Sequence, residues 1–229
     1  MTPFPTLPTT SPIWDYVLQL TQKFESRIAE NSTLLEEAGE YDWYNRLYTS
    51  DRFRRAHVEI VDKTQTAKIL VLHCTIFPHY NDPSPIWGCD LVCGPSKITG
   101  AFHDMSNGGD PDHELMRYFA DQTRDLQWKR PRDLPDWATE IFSPSIVAAG
   151  NVNDPAELDV IGNLALRTLE HFLANVGNTR TAEDYYPLQR RYNENNRLNP
   201  HVKRSMVAMG VPEEVITKFI EEVLFPIER

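Results

Sequence analysis

Glycine is sparse in this chain. Ten glycines are spread over 229 residues, and nowhere do they form a phosphate-binding loop. A nucleotide-binding fold therefore has little support, because such loops need backbone without Cβ close to the phosphate. Cysteine is scarcer still. Cys74, Cys89 and Cys93 form no disulfide-like framework, which fits a reducing cytoplasm. The C-x3-C spacing of the last two is not the usual zinc pair, and strand alternation puts both opposite Asp90, as core residues. Positive charge is in deficit: 23 Lys and Arg face 33 Asp and Glu, a net charge of −10. Nucleic-acid binders usually carry the opposite balance, so that class is set aside. No apolar run approaches about 18 residues, so no transmembrane helix is expected. The N-terminal MTPFPTLPTTSP lacks a basic start and an apolar centre, so residues 1–11 read as a flexible arm and not as a signal peptide. No Ser/His/Asp hydrolase motif is visible.

What is present is ordinary globular composition, 41% hydrophobic and 24% charged, in a length that suits a single domain with a sizeable core. Residues 12–30 carry Ile13, Tyr16, Val17, Leu20 and Phe24 at helical spacing, with Ser11 and Pro12 as a start signal. A β-rich block follows, over residues 41–49, 54–62, 68–77, 86–93 and 97–105. Turn residues separate these segments, among them NDPSP at 81–85. Connections this short favour antiparallel pairing, since a parallel crossover needs about a dozen residues. The second half reads as helices over 111–126, near 181–196, 200–209 and 212–224, and as one that Asp154 caps with Pro155 at its first position and whose apolar face runs from Leu158 to Leu173. A Pro-rich connection lies at 129–137 and one more strand at 144–149. The fold class is therefore α+β, a three-layer α/β/α sandwich with five or six central antiparallel strands.

Four ionisable residues lie within the strand block. His57 and Glu59 are two apart, so they share a face, either as a plain exposed pair or as an imidazole tuned by a carboxylate. His73 lies in KILVLHCTIF, where it is either a satisfied core residue or a catalyst. Asp90 interrupts the apolar PIWGCDLVCG, and Asp is depleted from strands and rarely buried without a partner. A hairpin through 81–85 can set His73 and Asp90 on neighbouring strands. A desolvated acid there would donate a proton near neutral pH. His103 and Asp104 point to opposite faces, which speaks against a joint role. Basic residues gather at Arg52, Arg54 and Arg55, at Lys129, Arg130 and Arg132, and at Arg190, Arg191, Arg197, Lys203 and Arg204. Each is either a solvated face or part of a docking surface for an acidic partner.

These motifs together resemble the ferredoxin-dependent bilin reductases, in the phycocyanobilin:ferredoxin oxidoreductase branch. The matching run is LVLHCTIFPHYNDPSPIWGCDLVCGPSKITGAFHDMS. FRRAHVEI lies upstream of it, and KRPRDLPDW, YNENNRLNPHVKRSM and VLFPIE lie downstream. The resemblance covers about residue 41 to the end. It implies reduction of biliverdin IXα by single electrons from reduced ferredoxin, with no cofactor or metal bound to the enzyme. Asp90 would be the central proton donor and His73 its partner. Glu59 would serve reduction of the exocyclic vinyl group, with His57 in support. Arg132 would pair with a propionate, Thr99 would line the pocket, and Asn199 would belong to the substrate site. One departure stands out: where many members have asparagine–aspartate, Asn199 is followed by Pro200, which has no proton to give. Phage-type relatives in this branch form phycoerythrobilin, so the product is either that or phycocyanobilin. A cytoplasmic monomer is expected. The competing readings are a bilin-binding protein without turnover and a small metalloenzyme using His57, Glu59, His73 and Asp90.

Overall fold

The computed structural model describes residues 2–37, 41–227 and 229. Seven strands form one sheet in chain order, every neighbouring pair antiparallel. They are β1 (Thr33–Glu37), β2 (Tyr44–Thr49), β3 (Phe53–Lys63), β4 (Ile69–Pro78), β5 (Ile86–Cys93), β6 (Ile98–Ser106) and β7 (Val147–Ala149). Short hairpin links leave no other arrangement open to β2–β6. The sheet is wider than the five or six strands expected. The addition is β1, a five-residue edge whose TLLEE has no alternation, with Leu34 and Leu35 exposed.

One face of the sheet carries α1 (Pro12–Ala29), α2 (Glu114–Thr123) and α4 (Pro155–Asn175). α1 starts where Ser11 accepts from the Trp14 amide and Pro12 sits in the first turn. Its stripe of Val17, Leu18, Phe24 and Ile28 is fully buried. Trp87 of β5 lies beneath it, edge-on to Phe24 at 5.4 Å between ring centres. Replacing Ser11 with Ala removes the cap and a 2.6 Å bond to the Pro95 carbonyl. Urea unfolding should show a loss of about 0.5–2 kcal/mol.

The other face carries α3 (Asp136–Thr139), α5 (Tyr186–Asn196), α6 (Pro200–Ala208) and α7 (Glu213–Lys218), followed by a π-helical turn, Phe219–Leu224. The expected 212–224 helix therefore changes pitch at Phe219. The wider turn closes with the Phe225 amide on the Ile220 carbonyl at 2.9 Å and points Phe219, Val223 and Leu224 inward. The 129–137 connection leads into α3, and the helix expected from 181 begins at Tyr186.

The N-terminal segment is laid along the sheet and is not the free arm expected. Phe4 packs edge-on against Tyr44 at 5.0 Å, Arg46 reaches the Thr2 carbonyl, and the Thr9 amide meets Asp15 at 2.6 Å. Its apolar residues bury area that the composition of the arm did not advertise.

Candidate active site

The register of four strands puts polar residues in a line. Asn45 of β2 stands opposite Glu59 of β3, Glu59 opposite His73 of β4, and His73 opposite Asp90 of β5. Directly paired residues bring their Cβ atoms to about 5 Å, so each touches the next. A parallel row holds His57, Thr75, Gly88 and Asp104. Both rows face the C-terminal helices.

His73 is the hub. Its Nδ1 lies 2.5 Å from Asp90 Oδ1, and its Nε2 lies 2.8 Å from the Thr75 hydroxyl. Burial by itself lowers the pKa of this imidazole. The charge and hydrogen bond of Asp90, with Glu59 in support, outweigh that and raise it. His73 is thus held toward the imidazolium, with a donor on each nitrogen.

Glu59 is 3% exposed, and its Oε1 has no hydrogen-bond partner. Burial lifts its pKa to about 7, against the pull of His73 and Trp43. The plain exposed-pair reading of His57 and Glu59 is therefore incorrect: both are covered, and Phe219 lies over His57 at 6.4 Å. His57 Nε2 is 2.5 Å from Asn45 Oδ1. Burial, then His73 and Arg55, hold the His57 pKa well below 6.5, so this ring is neutral, donates from Nε2 and leaves Nδ1 as a buried acceptor without a partner. Two imidazoles 5.1 Å apart thus differ in charge.

Asp90 differs from expectation. Its side chain is 43% exposed, so it is not the desolvated acid of the site. That part is taken by Glu59, two strands deeper. The open side lies where β7 is short and Phe102 stands opposite Asp90. Arg132 and Thr99 border it. The Arg132 guanidinium donates to the Thr99 carbonyl and stands 6.0 Å from the Phe102 ring, while the Thr99 hydroxyl is tied to Val92 O at 2.9 Å. A Cβ on Gly150 would meet Arg132 Nε at 2.7 Å, so glycine lets the two approach.

Asn199 is placed otherwise. Its oxygen accepts from the His201 amide at 2.9 Å and caps α6, with Pro200 in the first turn, where a missing N–H costs nothing. Asn199→Ala should lose about 0.5–2 kcal/mol in urea unfolding for that reason alone.

Two buried groups were not singled out from sequence: Asn45, in the first row, and Thr75, in the second. Asp104 accepts from Ser106 and twice from Ser143, and burial raises its pKa to about 6. On the opposite face, neutral His103 joins the Gly88 carbonyl to Thr168. The three cysteines are fully buried, as expected. The basic clusters do not converge as free charge. Arg54 and Arg55 turn inward, and Lys129, Arg190, Arg191 and Lys203 are paired with carboxylates. Among the described residues no three His, Cys, Asp or Glu side chains are grouped to hold a metal, and no helix is long and apolar enough to cross a membrane.

The profile described as ferredoxin-dependent bilin reductase matches residues 16–226. The chain belongs to that family. It is an oxidoreductase that reduces a bilin, with ferredoxin as the external electron donor. The phycocyanobilin:ferredoxin oxidoreductase of Gloeobacter violaceus is 30% identical over 192 residues, covering 81% of this chain and 74% of the relative. The enzyme of the same name from Prochlorococcus marinus is 28% identical, covering 79% and 69%. Two solved structures share the fold. PcyX aligns with a TM-score of 0.66 at 23% identity, over 93% of this chain and 99% of PcyX. Tomato phytochromobilin synthase in complex with biliverdin aligns with a TM-score of 0.62 at 14% identity, over 94% and 85%.

Proposed function

We propose that this reductase converts biliverdin IXα to a phytobilin, phycoerythrobilin or phycocyanobilin, by sequential one-electron transfers coupled to protonation through Asp90 and His73. The observation that carries the reading is the 2.5 Å pair of His73 and Asp90, open to solvent on one side and backed by Glu59 on the other. An electron added to a conjugated tetrapyrrole raises its basicity, and a proton must follow. Asp90 and His73 together hold a proton at the sheet surface, where the pigment's pyrrole and lactam groups lie. Glu59, which keeps its proton up to about pH 7, is the donor for the vinyl end. His57 accepts at Nδ1 and holds that end in place. Phe219 and Phe225, the latter 6.3 Å from the His73 ring, keep water from the inner end. Arg132 and Thr99 meet a propionate at the open edge. Pro200 leaves the start of α6 without a carboxylate, which supports an altered second reduction of the phage type.

The test is anaerobic incubation with biliverdin and reduced ferredoxin, followed by chromatography of the pigment. A radical intermediate and a phytobilin are expected. Biliverdin returned unchanged by folded protein would leave binding without turnover. Ferredoxin docking is assigned to the exposed Arg130 and Arg132 at the open edge of the sheet, since Lys129 is already paired with Asp154. Screening acts over about 8–10 Å near physiological ionic strength, so the ferredoxin-dependent rate should fall as salt rises, while a salt-independent rate contradicts this docking.

The buried acid also sets a pH signature. The Glu59 pKa is raised from 4.5 to about 7 in the folded chain. The stability linked to its proton is therefore full below about pH 4.5 and is lost as pH rises through 7. The loss is at most about 3 kcal/mol. His73, also raised, acts with the same sign. In urea unfolding between pH 5 and 8, Glu59→Gln should flatten most of the decline and exceed wild-type stability at pH 8.

A further inference from the structure

Arg55 is a partly buried charge, its Nε wholly covered, that the mechanism above does not use. Strand alternation puts it on the same face as His57 and Glu59, one step nearer the start of β3. One terminal nitrogen donates to the Val223 carbonyl. Its Nε is buried and has no hydrogen-bond partner, and no carboxylate among the described residues pairs with it. Its neighbour Arg54 contrasts with it: that guanidinium bonds Gln189 at 2.8 Å and lies over the rings of Phe77 and Tyr80 at 4.7 and 4.6 Å. A guanidinium whose Nε–H is buried without a partner is costly. Holding the C-terminal segment does not require it. Arg197 already binds the carbonyls of Glu221 and Phe225, each at 2.9 Å, Asn193 binds Pro226 at 2.6 Å, and Tyr186 binds Ile227 at 2.7 Å.

We propose that Arg55 is a further substrate-binding residue of this site, whose guanidinium donates to a lactam oxygen of the bilin and stabilises the negative charge that the first electron places on the pigment. The inference rests on the reading that the pigment lies against the His73–Asp90 row. The charged propionates of a bilin are best kept at the wet edge, where Arg132 is exposed. β3 lies three strand spacings, about 14 Å, from β6, and its end of the row is closed over by Phe219 and Val223. A neutral lactam ring suits that end, and its oxygen gains charge once the ring system is reduced. Low dielectric makes one fixed cation effective there. The step balances simply. Reduced ferredoxin loses one electron, the bilin gains it, the proton comes from the Asp90 and His73 pair, and Arg55 keeps all of its own.

The experiment compares wild type, Arg55→Gln, Arg55→Lys and Tyr186→Phe. Each is titrated with biliverdin and with its dimethyl ester, then mixed anaerobically with reduced ferredoxin while bilin radical formation is followed by absorption. Arg55→Gln should slow the first-electron step at least tenfold, and Arg55→Lys should recover part of that. Tyr186→Phe, which cuts another tie to the same C-terminal segment, should leave the step unchanged. Affinity should fall equally for acid and ester. A loss seen only with the free acid would make Arg55 a propionate ligand instead. An equal slowing in Tyr186→Phe would reduce Arg55 to a latch, and unchanged rates in both Arg55 variants would remove it altogether. If Arg55→Gln does not fold, Arg55→Lys decides: unchanged affinity for the ester, or a wild-type first-electron rate, overturns the proposal. Failure of wild-type protein to bind either pigment would instead overturn the reading beneath it.

Discussion

Asp90→Asn is expected to bind biliverdin and to lose turnover by about 10²–10⁴-fold, the usual reach of a general acid. The substitution is nearly isosteric but removes the ionisable carboxyl group. The consequence extends to His73. Asp90 is the main group that raises the His73 pKa against burial, so without it the desolvation cost is opposed by Glu59 alone and the imidazole is pushed toward its neutral form. One change thus acts on two residues that sit 2.5 Å apart. Half-exposure of Asp90 keeps the structural cost of the substitution small. Single-turnover absorption under anaerobic conditions with reduced ferredoxin measures the effect, and the pigment should stall at an early radical. A wild-type rate and product in this variant would take Asp90 out of the mechanism. The same measurement separates a catalyst from a passive bilin carrier, for which the substitution changes little.

Trp87→Ala should be the most damaging change to the fold, at about 3–5 kcal/mol. Trp87 is fully buried between β5 and α1, edge-on to Phe24, and its indole N–H reaches the Thr168 hydroxyl at 3.2 Å. The same hydroxyl lies 2.7 Å from His103 Nε2. Truncation therefore leaves a large void and takes one member from a buried polar chain. Against a typical total of about 5–15 kcal/mol, that is a large share. Urea unfolding measures it, with Trp87→Phe as the partner variant. Phe keeps most of the volume and should cost far less. A loss below about 1.5 kcal/mol for alanine would mean that α1 collapses onto the gap, and that the sheet and α1 are less rigidly joined than their packing indicates.

Much of the fold was legible because its signals are local. Alternation and turn residues marked β2 to β6, and Ser11, Pro12, Asp154 and Pro155 marked the starts of α1 and α4. β1 was not legible, since an edge strand with neither face fully covered carries no alternation to read. Nor was the π-helical turn, whose residues have ordinary helical spacing and whose pitch is set by the fit of Phe219 against Trp43 at 5.1 Å.

By itself the sequence determined that His57, Glu59, His73 and Asp90 lie on strands, that His57 and Glu59 share a face, and that a hairpin could join His73 to Asp90. Which acid is desolvated was decided only in three dimensions. Asp90 sits in the more apolar segment yet stays open, whereas Glu59 is sealed beneath residues some 160 positions later in the chain. The same long-range cover turned Arg55 from an apparent surface charge into a partly buried one with its Nε sealed. Solvent exposure is a property of the assembled layers, and proton affinity follows exposure and neighbouring charge, so neither could be read along the chain alone.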